Sequence, residues 1–522
     1  MSGKLSAWFS MFGKQPPFWL SRRRLCTAAQ PLPLSAAPRP SHLPLVGALP
    51  WFNASGGPHG IADVMTSLYT YGNIVPWTIF GKTTVTVFDP AEFMKVHRAA
   101  GSTPSGAALD TWMFPLYYNS RRGKVTTPVA FVEGDEWKHQ RHALQKDLFG
   151  LEDAASYLPE MDEVVVDAST RLPEYSRSGE RLTNYLGRVT FELICQVCLA
   201  KRVGVLDPAR TDPRDEAFVR SSFETFQHGA ALMYAPLQQH CTLFGGTPAW
   251  RGFCASQDFI FERAGEHIDE HVRALEAATA AGQPHKEGSY LTRLLRHGEL
   301  GREDVLTNVV GLLQGGVDTT ANTLSWALTQ LANNPSAQDA LAAELLAVLG
   351  KEGPFTTDAL PQLPLLKAVI RETHRMSPTV VGITRRLEEP IVLADTRNGA
   401  HYTIPARTRI MFSSIGMSLD PNVAHEPERF RPERWTTPSD RAERKALPIG
   451  ALDHNLLAQP FSFGPRMCIG ARLAQVEVWA SLSRFVRDHR IELDPPHQTW
   501  RVRNDLLTKP EPYPQLVFTP RT

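Results

Sequence analysis

The chain has 522 residues, of which 42% are hydrophobic and 21% charged, and its net charge is +1. That is enough apolar material for one large domain or two to three ordinary ones, and a charge so near zero excludes a global field for nucleic acid. The six cysteines, at 26, 195, 198, 241, 254 and 468, are too sparse for a disulfide framework.

The first acidic residue is Asp63. Before it stand Lys4, Lys14, Arg22, Arg23, Arg24 and Arg39, interleaved with serines and aromatics. A basic, serine-bearing, acid-free leader has the composition of an organelle transit peptide, and Arg22 to Thr27 resembles a mitochondrial processing site. A merely disordered basic tail is the bland alternative. No stretch approaches the roughly 20 apolar residues that span a membrane. Prolines 31, 33, 38, 40, 44 and 50 suggest an extended leader. The expected layout is therefore a transit peptide at 1–30, a proline-rich leader at 31–50 and one folded domain at 51–522.

Strand signals occur at 73–80 and 83–88, which should pair, and again at 391–393, 402–404 and 409–412. The first two of the later group are joined across Asn398-Gly399, a hairpin turn pair. From about 137 to 350 the pattern is helical. No repeat or linker divides the body, so the expected class is mainly α with a small β region, α+β.

Within the helical body, Trp137 and Arg141 share a helix face at i,i+4. An indole N–H and a guanidinium are donors only, suited to an anionic oxygen. Cys195 and Cys198 lie in an apolar helical run and read as packing. A long helix from about 303 to 333 is broken in its middle by Gly315-Gly316-Val317-Asp318-Thr319-Thr320. Each interior glycine costs about 1 kcal/mol, and a carboxylate beside hydroxyls is out of place in an apolar span. Rule-breaking of this kind marks functional sites.

A further helix at 363–375 carries Glu372 and Arg375 at i,i+3, and the like-charged Lys367 and Arg371 at i,i+4, a pair that repels mildly. The segment Pro432-Glu433-Arg434-Trp435 follows. Near the C-terminus, Phe461-x-x-Gly464-x-Arg466-x-Cys468-x-Gly470 puts a cysteine where a loop becomes a helix. Free N–H groups and the helix dipole favour a thiolate there, and the glycines let backbone and a flat ligand approach.

That ten-residue spacing resembles the haem-ligand signature of the cytochrome P450 family, and the Trp-x-x-x-Arg, Gly-Gly-x-Asp-Thr-Thr, Glu-x-x-Arg and Pro-Glu-Arg-Trp motifs occur in the family's order. The resemblance covers roughly 40–520 and implies a single large helical haem-thiolate monooxygenase domain. It implies haem b, with Cys468 as the axial ligand to iron. Phe461 and Gly470 would flank the haem, and Trp137, Arg141, Arg386 and Arg466 would meet its propionates. By the same resemblance Thr319 holds dioxygen and Asp318 relays protons, while Glu372, Arg375 and Arg434 form a triad locking the cysteine loop.

The mitochondrial branch also carries a basic pair at Lys367 and Arg371. There it docks an acidic [2Fe-2S] ferredoxin, itself served by a reductase. The implied substrate is a sterol, steroid or secosteroid, the implied location the matrix side of the inner membrane with peripheral membrane association. Two departures bear on the partner: Ser418-Leu-Asp-Pro421 lacks the Arg or His usual before Asp-Pro, and Arg472 stands where more basic charge is common. A haem-thiolate isomerase or dehydratase acting on lipid peroxides is an alternative, but such relatives tend to lose the acid–alcohol pair. A non-catalytic haem-binding protein is another.

Overall fold

A computed structural model describes residues 30–521, apart from 106–110, 122, 179, 208, 210, 234–244, 283–287, 448–456, 458–460 and 497. The expected transit peptide therefore lies outside the described residues. The described residues form sixteen α-helices of five residues or more. In chain order, the first four are α1 (Leu49–Ala54), α2 (Ile61–Tyr69), α3 (Pro90–Ala99) and α4 (Met113–Ser120). Then come α5 (Gly134–Gln145), α6 (Leu151–Ala155), α7 (Leu158–Ser178), α8 (Leu182–Cys198) and α9 (Pro213–Met233). They continue with α10 (Pro248–Ala280), α11 (Tyr290–His297), α12 (Arg302–Asn333), α13 (Pro335–Leu349) and α14 (Pro364–Met376). The last are α15 (Pro438–Ala446) and α16 (Ala471–Asp488).

Eleven short strands accompany them: β1 (Leu32–Pro33), β2 (Ile74–Ile79), β3 (Lys82–Val87), β4 (Ile383–Arg386), β5 (Ile391–Asp395), β6 (Ala400–Ile404) and β7 (Arg409–Phe412). Toward the C-terminus lie β8 (His489–Leu493), β9 (Arg501–Asp505), β10 (Leu507–Glu511) and β11 (Leu516–Pro520). They form a four-stranded sheet ordered β2-β3-β7-β4, a three-stranded sheet β1-β6-β5, and the pairs β9-β10 and β8-β11. The two expected pairings hold: β2 with β3, and β5 with β6 across Gly399, whose φ of 73° needs a glycine.

The proline-rich stretch is not a loose leader. Leu32 and Pro33 pair in parallel with Tyr402 and Thr403, and α1 begins at Leu49, so the folded body starts before residue 51. Extended, proline-bearing backbone suits the edge of a sheet.

Apolar side chains gather in two regions. The larger surrounds α12, where Leu313, Val317, Leu324 and Leu328 meet Phe191 of α8 and Val476 and Phe485 of α16. The smaller lies under the sheets, where Val85, Phe88, Phe93, Ile410 and Phe412 pack together. Helix α12 is buried nearly all round, as a helix crossing a core should be. The class is mainly α with a small β region, in one domain. No helix among the described residues is long and apolar enough to cross a membrane.

Candidate active site

Helix α16 starts at Ala471 with Gly470 as its N-cap, so Cys468 sits just before the first turn. The loop ahead is closed by Cys468 N–H donating to Phe461 O at 2.9 Å, and Gly464 turns it with a φ of 73°. Cys468 is exposed although protein surrounds it. Desolvation pushes its thiol up, while the Gly470 N–H and the Arg141 charge pull it back. A Cβ on Gly470 would meet nothing within 4 Å. An accessible sulfur with open space beside it, inside a folded body, is how the wall of an internal chamber looks.

The same mark appears on α12. Gly315 is exposed, and a Cβ there would meet nothing within 4 Å, whereas a Cβ on Gly316 would lie 3.2 Å from Ile194 of α8. The adjacent glycines therefore do different work: Gly315 leaves room on the open side, and Gly316 lets two helices approach. Thr319 Oγ1 donates to Gly315 O at 2.6 Å, the back-bond by which a hydroxyl loosens a helix. Asp318 Oδ2 is buried with no hydrogen-bond partner. Burial pushes its carboxyl up to about 7, opposed by the charge of Lys509. Such a group can hold or release a proton near neutral pH.

Sequence reasoning missed a second buried carboxyl. Glu477 of α16 is 1% exposed, its Oε1 lacks a partner, and burial pushes it to about 8 against a weak donation from Thr320 Oγ1 at 3.4 Å. It links α16 to α12 at the turn after Asp318. A glutamate seven residues after Gly470 was legible, but its burial was not.

The cations around the loop are rearranged relative to the sequence reading. Trp137 and Arg141 are buried on α5, and Arg141 Nη1 donates to Met467 O at 2.8 Å. The cation over the Trp137 ring is Arg466, at 4.3 Å. Arg466 also donates to Pro104 O, Val129 O and Val132 O at 2.9, 3.2 and 2.7 Å, bracing the segment before α5 against the cysteine loop. Arg386 is turned outward and exposed. Its neighbour Arg385 is 5% exposed, and its Nε is buried without a partner. Successive strand residues face opposite ways, so on β4 only one of the two arginines can point inward. His97, also missed, has a buried, unpartnered Nε2, and burial with the Arg385 charge lowers it to about 4.

Burial brings Arg385 and Arg466 down to about 10, and Arg466 is further lowered by Arg385 and Arg141, with Glu133 the one carboxylate opposing. Three guanidiniums crowded together and short of negative charge suit a ligand with carboxylates on one edge. With the Cys468 sulfur and the space over Gly470 and Gly315, the donor set fits haem b.

Beneath this, Glu372 is completely buried and accepts five donations. They come from Arg375 Nε and Nη2 at 3.0 and 2.8 Å, Arg434 Nε at 2.9 Å, Trp435 Nε1 at 2.9 Å and Arg431 N at 3.0 Å. Arg375 and Arg434 spend their other N–H groups on carbonyls of Ser418, His425, Pro427 and Arg429. The geometry is that of a lock between α14 and the 418–435 segment. Arg371, expected to face a partner, stacks on the Trp435 ring at 4.5 Å, with Arg444 also on that ring at 5.1 Å. Its charge has a role inside the fold that the sequence did not suggest. Lys367 is half-buried on the same helix.

Residues 37–517 match the family model Cytochrome P450. Among curated proteins, the chain is 31% identical over 451 residues to human "25-hydroxyvitamin D-1 alpha hydroxylase, mitochondrial", covering 84% of each chain. It is 30% identical to the rat "Sterol 26-hydroxylase, mitochondrial", over 81% of this chain and 78% of the relative. To the "Cholesterol side-chain cleavage enzyme, mitochondrial" of Hypanus americanus it is 27% identical, over 86% and 83%. With the cysteine loop, the glycine-opened helix and the glutamate–arginine lock in one body, the chain belongs to the cytochrome P450 family, and it is a haem b monooxygenase.

Proposed function

We propose that this enzyme works in mitochondria, on the matrix side of the inner membrane. There it hydroxylates an unactivated C–H bond of a sterol, steroid or secosteroid-like lipid, with electrons from an acidic [2Fe-2S] ferredoxin and its reductase. The observation that carries the reading is Cys468, an accessible sulfur at a helix start. The mitochondrial names of the relatives and the acid-free leader support the location. Their sterol and secosteroid names support the substrate class.

Haem b, when bound, supplies dioxygen activation, the thiolate pushing electron density toward O–O cleavage. The chain's own residues do the rest. Cys468 provides the ligand, and Arg141, Arg385 and His97 offer donors to the carboxylate edge. Gly315 makes room on the distal helix. Asp318 holds a proton that it can lose near neutral pH, and Thr319 places a hydroxyl one residue further along the helix. Val380 (40% exposed) and Leu506 present apolar surface, suited to a lipid. Lys367 offers the ferredoxin a cation on α14.

Cys468→Ser should abolish the red-shifted Soret band of the ferrous carbon-monoxide complex, and a variant that keeps the band would sink the ligand assignment. A panel of sterols and secosteroids, scored by the spectral shift on loss of iron-bound water and then by ferredoxin-supported product formation, identifies the substrate. Shifts confined to non-steroidal lipids would overturn the class.

A further inference from the structure

Helix α12, the segment after α14 and the β9–β10 turn, which carry Thr319, Val380 and Leu506, are tied together by buried threonines. Gly315, Thr319 and Thr323 follow one another at i,i+4 along one face of α12, exposed at Gly315 and buried by Thr323. Thr319 Oγ1 donates to Gly315 O at 2.6 Å, and Thr323 Oγ1 donates to Thr319 O at 2.9 Å. Where that line enters the core, Thr323 Oγ1 also lies 3.0 Å from Thr379 Oγ1. Thr323 and Thr379 are 7% and 3% exposed.

The backbone around Thr379 is anchored as well. Its carbonyl accepts the Thr508 N–H at 3.0 Å, and Thr508 Oγ1 donates to Pro378 O at 2.7 Å. Thr508 O in turn accepts Trp326 Nε1 of α12 at 3.3 Å. Beyond Val380, Val381 O accepts Ser413 Oγ at 2.8 Å. Val380 is thus an exposed apolar residue between two fixed neighbours. A count of protons gives the threonine chain a direction. A hydroxyl has one proton to donate, and Thr323 spends its own on Thr319 O. The proton between Thr323 and Thr379 is therefore that of Thr379.

We infer that Thr379 is a positioning residue: by donating to Thr323 it locks the segment carrying Val380 to the turn of α12 carrying Thr319, and so sets the spacing between an apolar wall and the Thr319 hydroxyl. The inference rests on the reading of Val380 and Thr319 as facing one chamber. That turn needs a brace, because side chains compete for its carbonyls and loosen it. Asn322 Nδ2 donates to Asp318 O at 2.7 Å, beside the two threonine back-bonds. Thr190 of α8 and Glu477 of α16 hold the far side of the turn, through Val317 O at 3.0 Å and Thr320 Oγ1 at 3.4 Å. Thr379 braces the chamber side.

The test uses the haem-loaded full chain with carbon monoxide as the probe. The C–O infrared band of the ferrous complex senses how the distal helix lies against the bound ligand. Thr379→Val loses one hydrogen bond and strands no buried donor, because Thr323 still donates to Thr319 O. Its band should split or broaden relative to the parent, and Thr379→Ser should restore it. Thr323→Val should give the same change, and it serves if Thr379→Val does not fold. The double variant should change no more than either single one, since one linkage is broken. Thr329→Val removes a back-bond of the same kind, to Ser325 O at 2.7 Å, and should leave the band as in the parent. A parent-like band in Thr379→Val or Thr323→Val, additive effects of the two, or an equal change in Thr329→Val overturns the proposal. Thr319→Ala separates the two levels. An unchanged band there would refute the reading that Thr319 faces the ligand, whereas a change there with none in Thr379→Val would refute the brace alone.

Discussion

Two carboxyl groups, the fully buried Glu372 on α14 and Asp318 on α12 with its buried Oδ2, are treated in opposite ways. Glu372 lies among donors, its charge matched by Arg375 and Arg434 and its oxygens filled by five hydrogen bonds. Burial would raise it, yet the arginines outweigh burial and hold it below the usual range. Asp318 has an oxygen with no hydrogen-bond partner, and its burial is opposed by the charge of Lys509. The first arrangement fixes a structure. The second leaves a group undecided between two protonation states, which is what proton delivery requires.

The largest effect should come from breaking the satisfied site. Glu372→Gln would strand two fully buried guanidiniums, at a cost of about 3–5 kcal/mol, seen as a fall in the denaturant midpoint and in haem retention. Because Glu372 is held low, the stability it contributes is present above its unfolded value and is lost as pH falls through the folded one. A variant as stable as the parent would mean that the triad is not a lock.

A middle effect should separate neighbouring arginines. Arg385→Gln removes a buried donor whose Nε has no protein partner. Haem affinity should fall about 10- to 100-fold, the range of a charge-assisted hydrogen bond, and stability without haem should hardly change. Arg386→Gln, on the exposed face, should alter neither. Equal losses from the two would refute the inward assignment of Arg385.

The smallest effect tests the unsatisfied site. Asp318 is raised, so the folded state binds its proton more tightly, and parent stability should decline as pH rises from about 4 toward about 7. Asp318→Asn should flatten that slope, with a gain of about 1 kcal/mol near neutral pH. Persistence of the slope would place its origin elsewhere.

What the sequence made legible was whatever depends on local order. The helix through Gly315 and Asp318, the i,i+3 spacing of Glu372 and Arg375, and the loop-to-helix junction at Cys468 are short-range patterns. Side-chain direction and long-range pairing were not legible. Arg385 and Arg386 differ only in which side of β4 they face, and that side is set by the pairing of β4 with β7 across the sheet. The bracing of Arg466 against carbonyls of Pro104, Val129 and Val132 joins segments more than 330 residues apart. The β9–β10 hairpin went unread because its strands are charged and proline-bearing, and their ion pairs replace the alternating apolar pattern.

The pairing of Leu32 and Pro33 with β6 would set a limit on any trimming of the basic N-terminal stretch. A cut on the N-terminal side of Leu32 would leave the sheet whole. One further in removes β1 and bares the backbone groups of Tyr402 and Thr403 along an open strand edge, the kind of edge to which a second chain can add. Over-trimmed protein would then be told apart by its tendency to self-associate rather than by its spectrum.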